Sequence, residues 1–382
     1  MRKVMLFVGT RKGGLIYTSD ESRQKWDVSP LHFKAWNVMH MRLDPRDNRI
    51  HVAAAHDAFS PSTHYSDDWG QTWTQAGKSP AFERPSASGR PAGTVPEAMD
   101  MDSIKGKPEK VDKVWHIAPG RADEPGVLYA GVQPAALFKS TDRGETWQIN
   151  EAFYDHPHRG TFFPGAGGLC MHTILPHPTD HNRMWIAVST GGCYYTNDGG
   201  KTWNPRNKNV LADFSPEKYP EYGQCVHKIA MHPSHPERIY QQNHCGMYRS
   251  DDGGENWIDI GEGKLPSRFG FPIVVHPHDP NTAYIVPEEA DQYRVSIEGK
   301  FVVWRTRDRG ESWEPLTNGL PQHAHLVALR EAMATDTYAD AGIYVGTSTG
   351  QIFYSRDGGD NWGVLADYLP PVLSLEAAVV EN

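Results

Sequence analysis

One eight-residue string recurs along the whole chain, and no other feature limits the fold as much. Six copies read Ser/Thr-x-Asp-x-Gly-x-(Thr/Ser/Asn)-Trp: Ser66-Asp68-Gly70-Thr72-Trp73, Ser140-Asp142-Gly144-Thr146-Trp147, Thr196-Asp198-Gly200-Thr202-Trp203, Ser250-Asp252-Gly254-Asn256-Trp257, Thr306-Asp308-Gly310-Ser312-Trp313 and Ser355-Asp357-Gly359-Asn361-Trp362. A degenerate seventh copy comes first, with Thr18, Asp20 and Ser22 and then Trp26 after one extra residue. Successive tryptophans lie 47, 74, 56, 54, 56 and 49 residues apart. A period of roughly 50 residues implies stacked repeats of one supersecondary unit, most often the blades of a propeller.

The string has the chemistry of a tight turn. The Asp carboxylate accepts nearby backbone N–H groups. The Gly two residues on supplies a positive φ that a Cβ would resist. The Ser/Thr hydroxyls tie the loop further, and the Trp opens the next strand with a ring large enough to fill the space between sheets. These strings resemble the Asp-box, or BNR, repeat of sialidase-like propellers, and the resemblance spans about residues 1–380. It implies an all-β, seven-bladed propeller of four-stranded blades with the boxes on its outer turns. The repeat occurs in sialidases, endoglucanases, sortilin-type receptors and assembly factors, so it implies a fold and no single activity. The boxes themselves are read as structural.

Composition agrees with one turn-rich all-β domain over 1–382: 38% hydrophobic residues, 36 Gly and 29 Pro. A net charge of −9 and the lack of a basic run argue against nucleic acid as a partner. No apolar run approaches the length of a membrane span. The segment Met1–Thr10 runs directly into strand-like sequence with no leader pattern, so the expected location is the cytoplasm. Cys170, Cys193, Cys225 and Cys245 are then reduced thiols.

Between boxes the segments share a plan of an inner strand ending near Pro, a second strand, and a third that enters the box. Inner strands are expected at Met39–Pro45, Val114–Pro119, Cys170–Pro178, Cys225–Pro233, Phe271–Pro277 and Leu326–Arg330. The first segment has no such strand, and Val372–Val380 is expected to supply it beside Val4–Gly9, closing the ring without an open edge. Strand alternation then puts the boxes on the bottom face and the long connections on top: Thr74–Lys113, Gln148–Leu169, Asn204–Gln224 and the loop Glu288–Phe301. Long loops gathered on one face commonly carry function.

Four successive blades place a histidine near the start of the inner strand: His40, His116, His172 and His227. Glu376 falls at about the same place in the shared first blade. Equivalent positions around a ring meet at its axis, so these groups are candidate metal ligands, with His244 from the end of a second strand. Other second-strand ends add His56, Asp57, Gln133, Glu288, Glu289, Arg11 and Lys12 to the same mouth. The structural alternative is that each histidine bonds the backbone of the next blade. Cys170 and Cys225 stand two residues before His172 and His227, so two Cys-x-His pairs are candidates for a soft metal such as zinc. The matching Val38, Val114 and Ser374 favour a simpler need for small side chains there. Phe163-Pro-Gly-Ala-Gly-Gly168 lacks the Lys-Ser/Thr of a phosphate loop and reads as pliable backbone at the mouth. Tyr219, Glu221 and Tyr222 are candidates to line a pocket.

The leading expectation is a metal-dependent hydrolase: a divalent metal, zinc or manganese, activates water at the channel top. Asp57, Glu288 or Glu289 acts as base, and Arg11 or Lys12 offers charge to a small, anionic substrate. Two alternatives stand beside it. One is a non-catalytic propeller that binds a protein or small ligand. The other is a glycoside hydrolase, either sialidase-like or with two carboxylates across a cleft, such as Glu288 or Glu289 opposite Asp57. The sialidase form fits poorly, because the inner strands carry His where sialidases carry Arg, and Arg42-Leu-Asp-Pro45 departs from their Arg-Ile-Pro string.

Overall fold

A computed structural model of the chain describes residues 2–56, 58–87 and 109–381. Seven four-stranded antiparallel sheets form the blades. Each inner strand packs on the inner strand of the next blade, and the last returns to the first. The first blade takes its inner strand from the other end of the chain. Val372–Glu381 runs antiparallel to Arg2–Thr10, from Arg2 opposite Glu381 to Thr10 opposite Val372. That pairing is the ring closure expected from the sequence, and it covers the inner edge of Arg2–Thr10.

The boxes fold as their chemistry requires. In the second blade Ser66 Oγ donates to Asp68 Oδ1 at 2.7 Å and accepts the Gly70 N–H at 2.8 Å. Asp68 then accepts the N–H and hydroxyl of Thr72 at 2.8 and 2.5 Å. The other five complete boxes repeat this network, as at Thr196–Thr202. Gly70 has φ +87°, and a Cβ there would meet Ile16 Cδ1 at 2.6 Å, so glycine is required twice over. Four box tryptophans tie their blade to the one before it: Trp147 Nε1 donates to Thr63 Oγ1, Trp203 to Asn150 Oδ1, Trp257 to the Arg206 carbonyl and Trp313 to that of Ile260. Trp147, Trp203 and Trp257 are buried, each worth roughly 3 kcal/mol of apolar burial, and Trp313 is partly buried.

One expected strand is absent. Leu326–Arg330 is irregular, and the inner strand of the seventh blade is Met333–Thr335. Ser296 Oγ donates to the Leu326 carbonyl at 2.8 Å and accepts the Leu326 N–H at 3.1 Å, which binds this stretch to the sixth blade's top loop instead of a ladder. The consequence is functional geometry: the irregular stretch delivers Arg330 and Glu331 to the channel mouth. Among the described residues no helix is long and apolar enough to cross a membrane.

Candidate functional site at the channel mouth

The inner-strand histidines are not equivalent, and a β-bulge explains why. In the second blade Val38 pairs with Ala54 and His40 with Ala53, leaving Met39 as the extra residue. In the third, Trp115 is the extra residue before His116. In the fourth and fifth, the extra residues are His172 and His227 themselves. A bulge re-aims the side chain at that point. His40 and His116 therefore match Thr173 and Lys228 in register, while His172 and His227 match Met39 and Trp115. Two clusters result where one ring was expected.

The lower cluster holds His40, His116, Lys228, Glu331 and Glu376. His40 Nδ1 accepts the Ile117 N–H at 3.2 Å, so Nε2 carries the proton and donates to Glu376 Oε1 at 3.1 Å. Arg42 reaches the same oxygen at 3.5 Å. Lys228 Nζ lies 2.9 Å from Glu331 Oε2, and His116 Nδ1 lies 3.8 Å from that atom. Burial holds His116 well below the usual histidine range, helped by His40 and Arg42, so it is neutral. Burial pushes the Glu376 carboxyl up, but Arg42 and His40 outweigh it and hold the carboxyl ionised.

The upper cluster lines a cavity of about 250 Å³ between the top loops. Its walls include Ala166, Gly167, Cys225, His227, His244, Asp291, Arg294 and Arg330. His227 Nδ1 donates to the Gly270 carbonyl at 2.6 Å, which leaves the Nε2 lone pair facing Cys225 Sγ at 3.6 Å. Burial, then Arg330, lowers the His227 pKa well below its ordinary value. Burial raises that of the Cys225 thiol. His244 Nε2 stands 3.4 Å from Asp291 Oδ2. A wider groove of about 830 Å³ adjoins the cavity through Thr190 and Phe214, with Phe163, Glu217, Glu221 and Tyr222 along it. Phe163 and Phe214 are 53% and 51% exposed.

These contacts do not fit a divalent metal among the expected ligands. His40 has no free lone pair. His172 has none either: Nε2 donates to the Val226 carbonyl at 2.9 Å and Nδ1 accepts from the Thr173 hydroxyl at 2.9 Å. Glu376 and Glu331 already have cations. Among the described residues two sets bring three ligand-type atoms within 4.8 Å of one another, His40–His116–Glu331 and Cys225–His227–His244. The first contains the spent His40. The second shares its cavity with two guanidinium groups, which oppose a further cation.

The remaining candidates scatter. Glu288 is 1% exposed with both carboxyl oxygens unbonded, and burial raises its pKa to about 8. Glu289 is exposed, and its N–H donates to the Val295 carbonyl. Arg11 is exposed on the first blade's turn and does not line the cavity. His56 packs on Trp36, and Asp57 lies outside the described residues. Sequence reasoning missed Arg330 because it assigned it to a regular strand over Leu326–Arg330, and missed Glu331 just beyond that strand. It missed Asp291 and Arg294 because nothing in the loop 288–301 marks them out.

Known proteins bear on this arrangement. The BNR/Asp-box repeat model matches residues 194–205, the fourth box. A xyloglucanase of Acetivibrio thermocellus is 24% identical over 233 residues, covering 52% of this chain and 26% of that protein. An oligoxyloglucan-reducing end-specific xyloglucanase of Emericella nidulans is 23% identical over 219 residues, covering 52% of this chain and 24% of that protein. The chain thus spans about a quarter of the length of the curated relatives it matches. Among solved structures, the GH74 xyloglucanase from Xanthomonas campestris superposes with a TM-score of 0.54 at 15% identity, over 97% of this chain and 66% of that one. That likeness is one of fold. These relatives overturn the metal-dependent hydrolase expectation: they are glycoside hydrolases, and two of the four channel histidines, His40 and His172, are spent on inter-blade and carboxylate contacts. The chain is a seven-bladed propeller of Asp-box repeats, and about half of it is similar in sequence to xyloglucanases.

Proposed function

We propose that this propeller acts on a carbohydrate as a glycoside hydrolase, with the glycan lying along the top-face groove and entering the channel-mouth cavity. The similarity to xyloglucanases over half the chain carries this reading. The groove's chemistry supports it. Phe163, Phe214 and Tyr222 offer aromatic surface on which the apolar faces of sugar rings rest, and Phe163 and Phe214 each expose about half of theirs.

Glycoside hydrolysis requires two carboxyl groups about the scissile bond. Glu221 lies in the groove and Asp291 in the cavity, on loops from different blades, with Thr190 and Phe214 between the two spaces. One carboxyl protonates the leaving oxygen. The other attacks the anomeric carbon or activates the water that does. His244 holds Asp291 in place.

The test is release of reducing ends from xyloglucan and from unbranched β-glucan oligosaccharides, alongside calorimetric binding of the same compounds. Hydrolysis abolished by both Asp291→Asn and Glu221→Gln is the expected result. Binding without hydrolysis removes the catalytic part of the reading. Neither binding nor hydrolysis of any glycan overturns it.

A further inference from the structure

Seven arginines among the described residues are buried, and six have a carboxylate partner. Arg23 pairs with Asp336, Arg49 with Asp67, Arg121 with Glu124, Arg159 with Glu109, Arg249 with Asp251 and Arg305 with Glu314. Arg330 is the exception. It is 7% exposed, and its polar contact is Cys170 Sγ at 3.4 Å. Its guanidinium carbon lies 5.4 Å from the Trp115 ring. A buried guanidinium without a counter-charge carries a large desolvation cost unless an anion offsets it.

Arg330 lines the channel-mouth cavity, and what surrounds it suits an anion. Arg294 lines the same cavity with no carboxylate within ion-pair distance among the described residues; its head lies over the Phe269 and Phe271 rings at 5.7 and 5.5 Å. The backbone N–H groups of Ala166 and Gly167, in the turn closed by Gly168 N–H to the Gly165 carbonyl, have no acceptor among the described residues. Cys225 and His227 face the cavity as neutral groups. Among the described residues Asp291 is the one carboxylate in the lining, and His244 lies against it.

We propose that this cavity is a subsite for an oxyanion, the carboxylate of an acidic sugar or the phosphate of a sugar phosphate, held on Arg330 and closed over by Arg294. A guanidinium presents two parallel N–H donors that match either group. The sugar frame of the ligand rests on the carbohydrate reading above, whereas the oxyanion contact rests on Arg330.

The test is calorimetric titration with glucuronate, glucose 6-phosphate, inorganic phosphate and glucose. It uses the wild-type chain, Arg330→Gln, and Arg294→Gln as a variant at an exposed position. At least tenfold tighter binding of glucuronate or glucose 6-phosphate than of glucose is expected, and each variant should lose most of that preference. The tighter of the two identifies carboxylate or phosphate as the natural group. Equal binding of charged and neutral sugars, or a preference that survives both substitutions, overturns the proposal. Acidic sugars binding while neutral glucan oligosaccharides do not would leave the oxyanion subsite standing and remove the glucan-directed function. Inorganic phosphate binding as tightly as glucose 6-phosphate would keep the oxyanion subsite and remove the sugar from it.

Discussion

His40 Nε2 and Glu376 Oε1 stand 3.1 Å apart, so the second blade is joined to the last strand of the chain through the channel wall. The contact crosses the seam where the two ends meet. Arg42 shares the same carboxylate oxygen at 3.5 Å, and the Ile117 N–H fixes the tautomer of His40 from the third blade. Three blades thus depend on one carboxyl group.

Glu376→Ala is expected to lower unfolding stability by about 2 kcal/mol, the scale for a hydrogen bond to a charged group. The folded pKa of Glu376 is depressed, with Arg42 and His40 outweighing burial. Its contribution is therefore present above the unfolded carboxylate pKa and is lost as pH falls below that range toward the folded value. Denaturant midpoints of wild type and variant should converge on acidification and stay apart at neutral pH.

The box tryptophans provide a second measure of blade-to-blade cohesion. Trp257 is 2% exposed, packs in the fifth blade's core cluster and donates to the Arg206 carbonyl at 2.9 Å. Trp257→Ala should cost about 4 kcal/mol through the cavity it leaves. Trp26 of the degenerate box donates to Arg23 in its own turn and is only partly buried, so Trp26→Ala should cost less. Paired thermal and denaturant unfolding of the two variants checks the order.

How legible this was in the sequence depended on whether a residue acts locally. Asp68, Gly70 and Thr72 do their work within a few residues of one another, and the turn could be read from their chemistry. The ring closure was equally readable, because Val372–Glu381 supplies an inner strand that the first blade lacks. The site was not readable in this way. One unpaired residue per inner strand separates His40 and His116 from His172 and His227, and a bulge leaves no compositional trace. Arg330 escaped notice for a related reason: an apolar run that looks like a strand is held out of the ladder by the hydroxyl of Ser296.

Glu288 makes a pH-dependent prediction of opposite sign to Glu376. Burial raises its pKa to about 8, with Arg294 opposing. Between the unfolded carboxylate range and that value, the folded chain holds a proton that the unfolded chain has lost. Stability therefore falls as pH rises through this window, and the slope vanishes above it. Glu288→Gln mimics the protonated acid without its titration. The variant should match wild type near pH 5 and exceed it near pH 8, as read by thermal midpoints at the two values.

The groove prediction separates recognition from chemistry. Phe163 and Phe214 offer more than half of their surface to solvent, and both line the groove with Tyr222. Neither is placed to donate or accept a proton, so each contributes by covering the apolar face of a sugar ring. Phe163→Ala/Phe214→Ala should weaken oligosaccharide binding by about 2 kcal/mol, or roughly thirtyfold. Because such a contact is made equally in the ground and transition states, KM should rise while kcat is preserved. Asp291→Asn should show the reverse, a lost kcat with binding retained. A double variant that lost kcat instead would place the aromatic rings at the reacting sugar, and one that changed neither parameter would move the glycan off this groove.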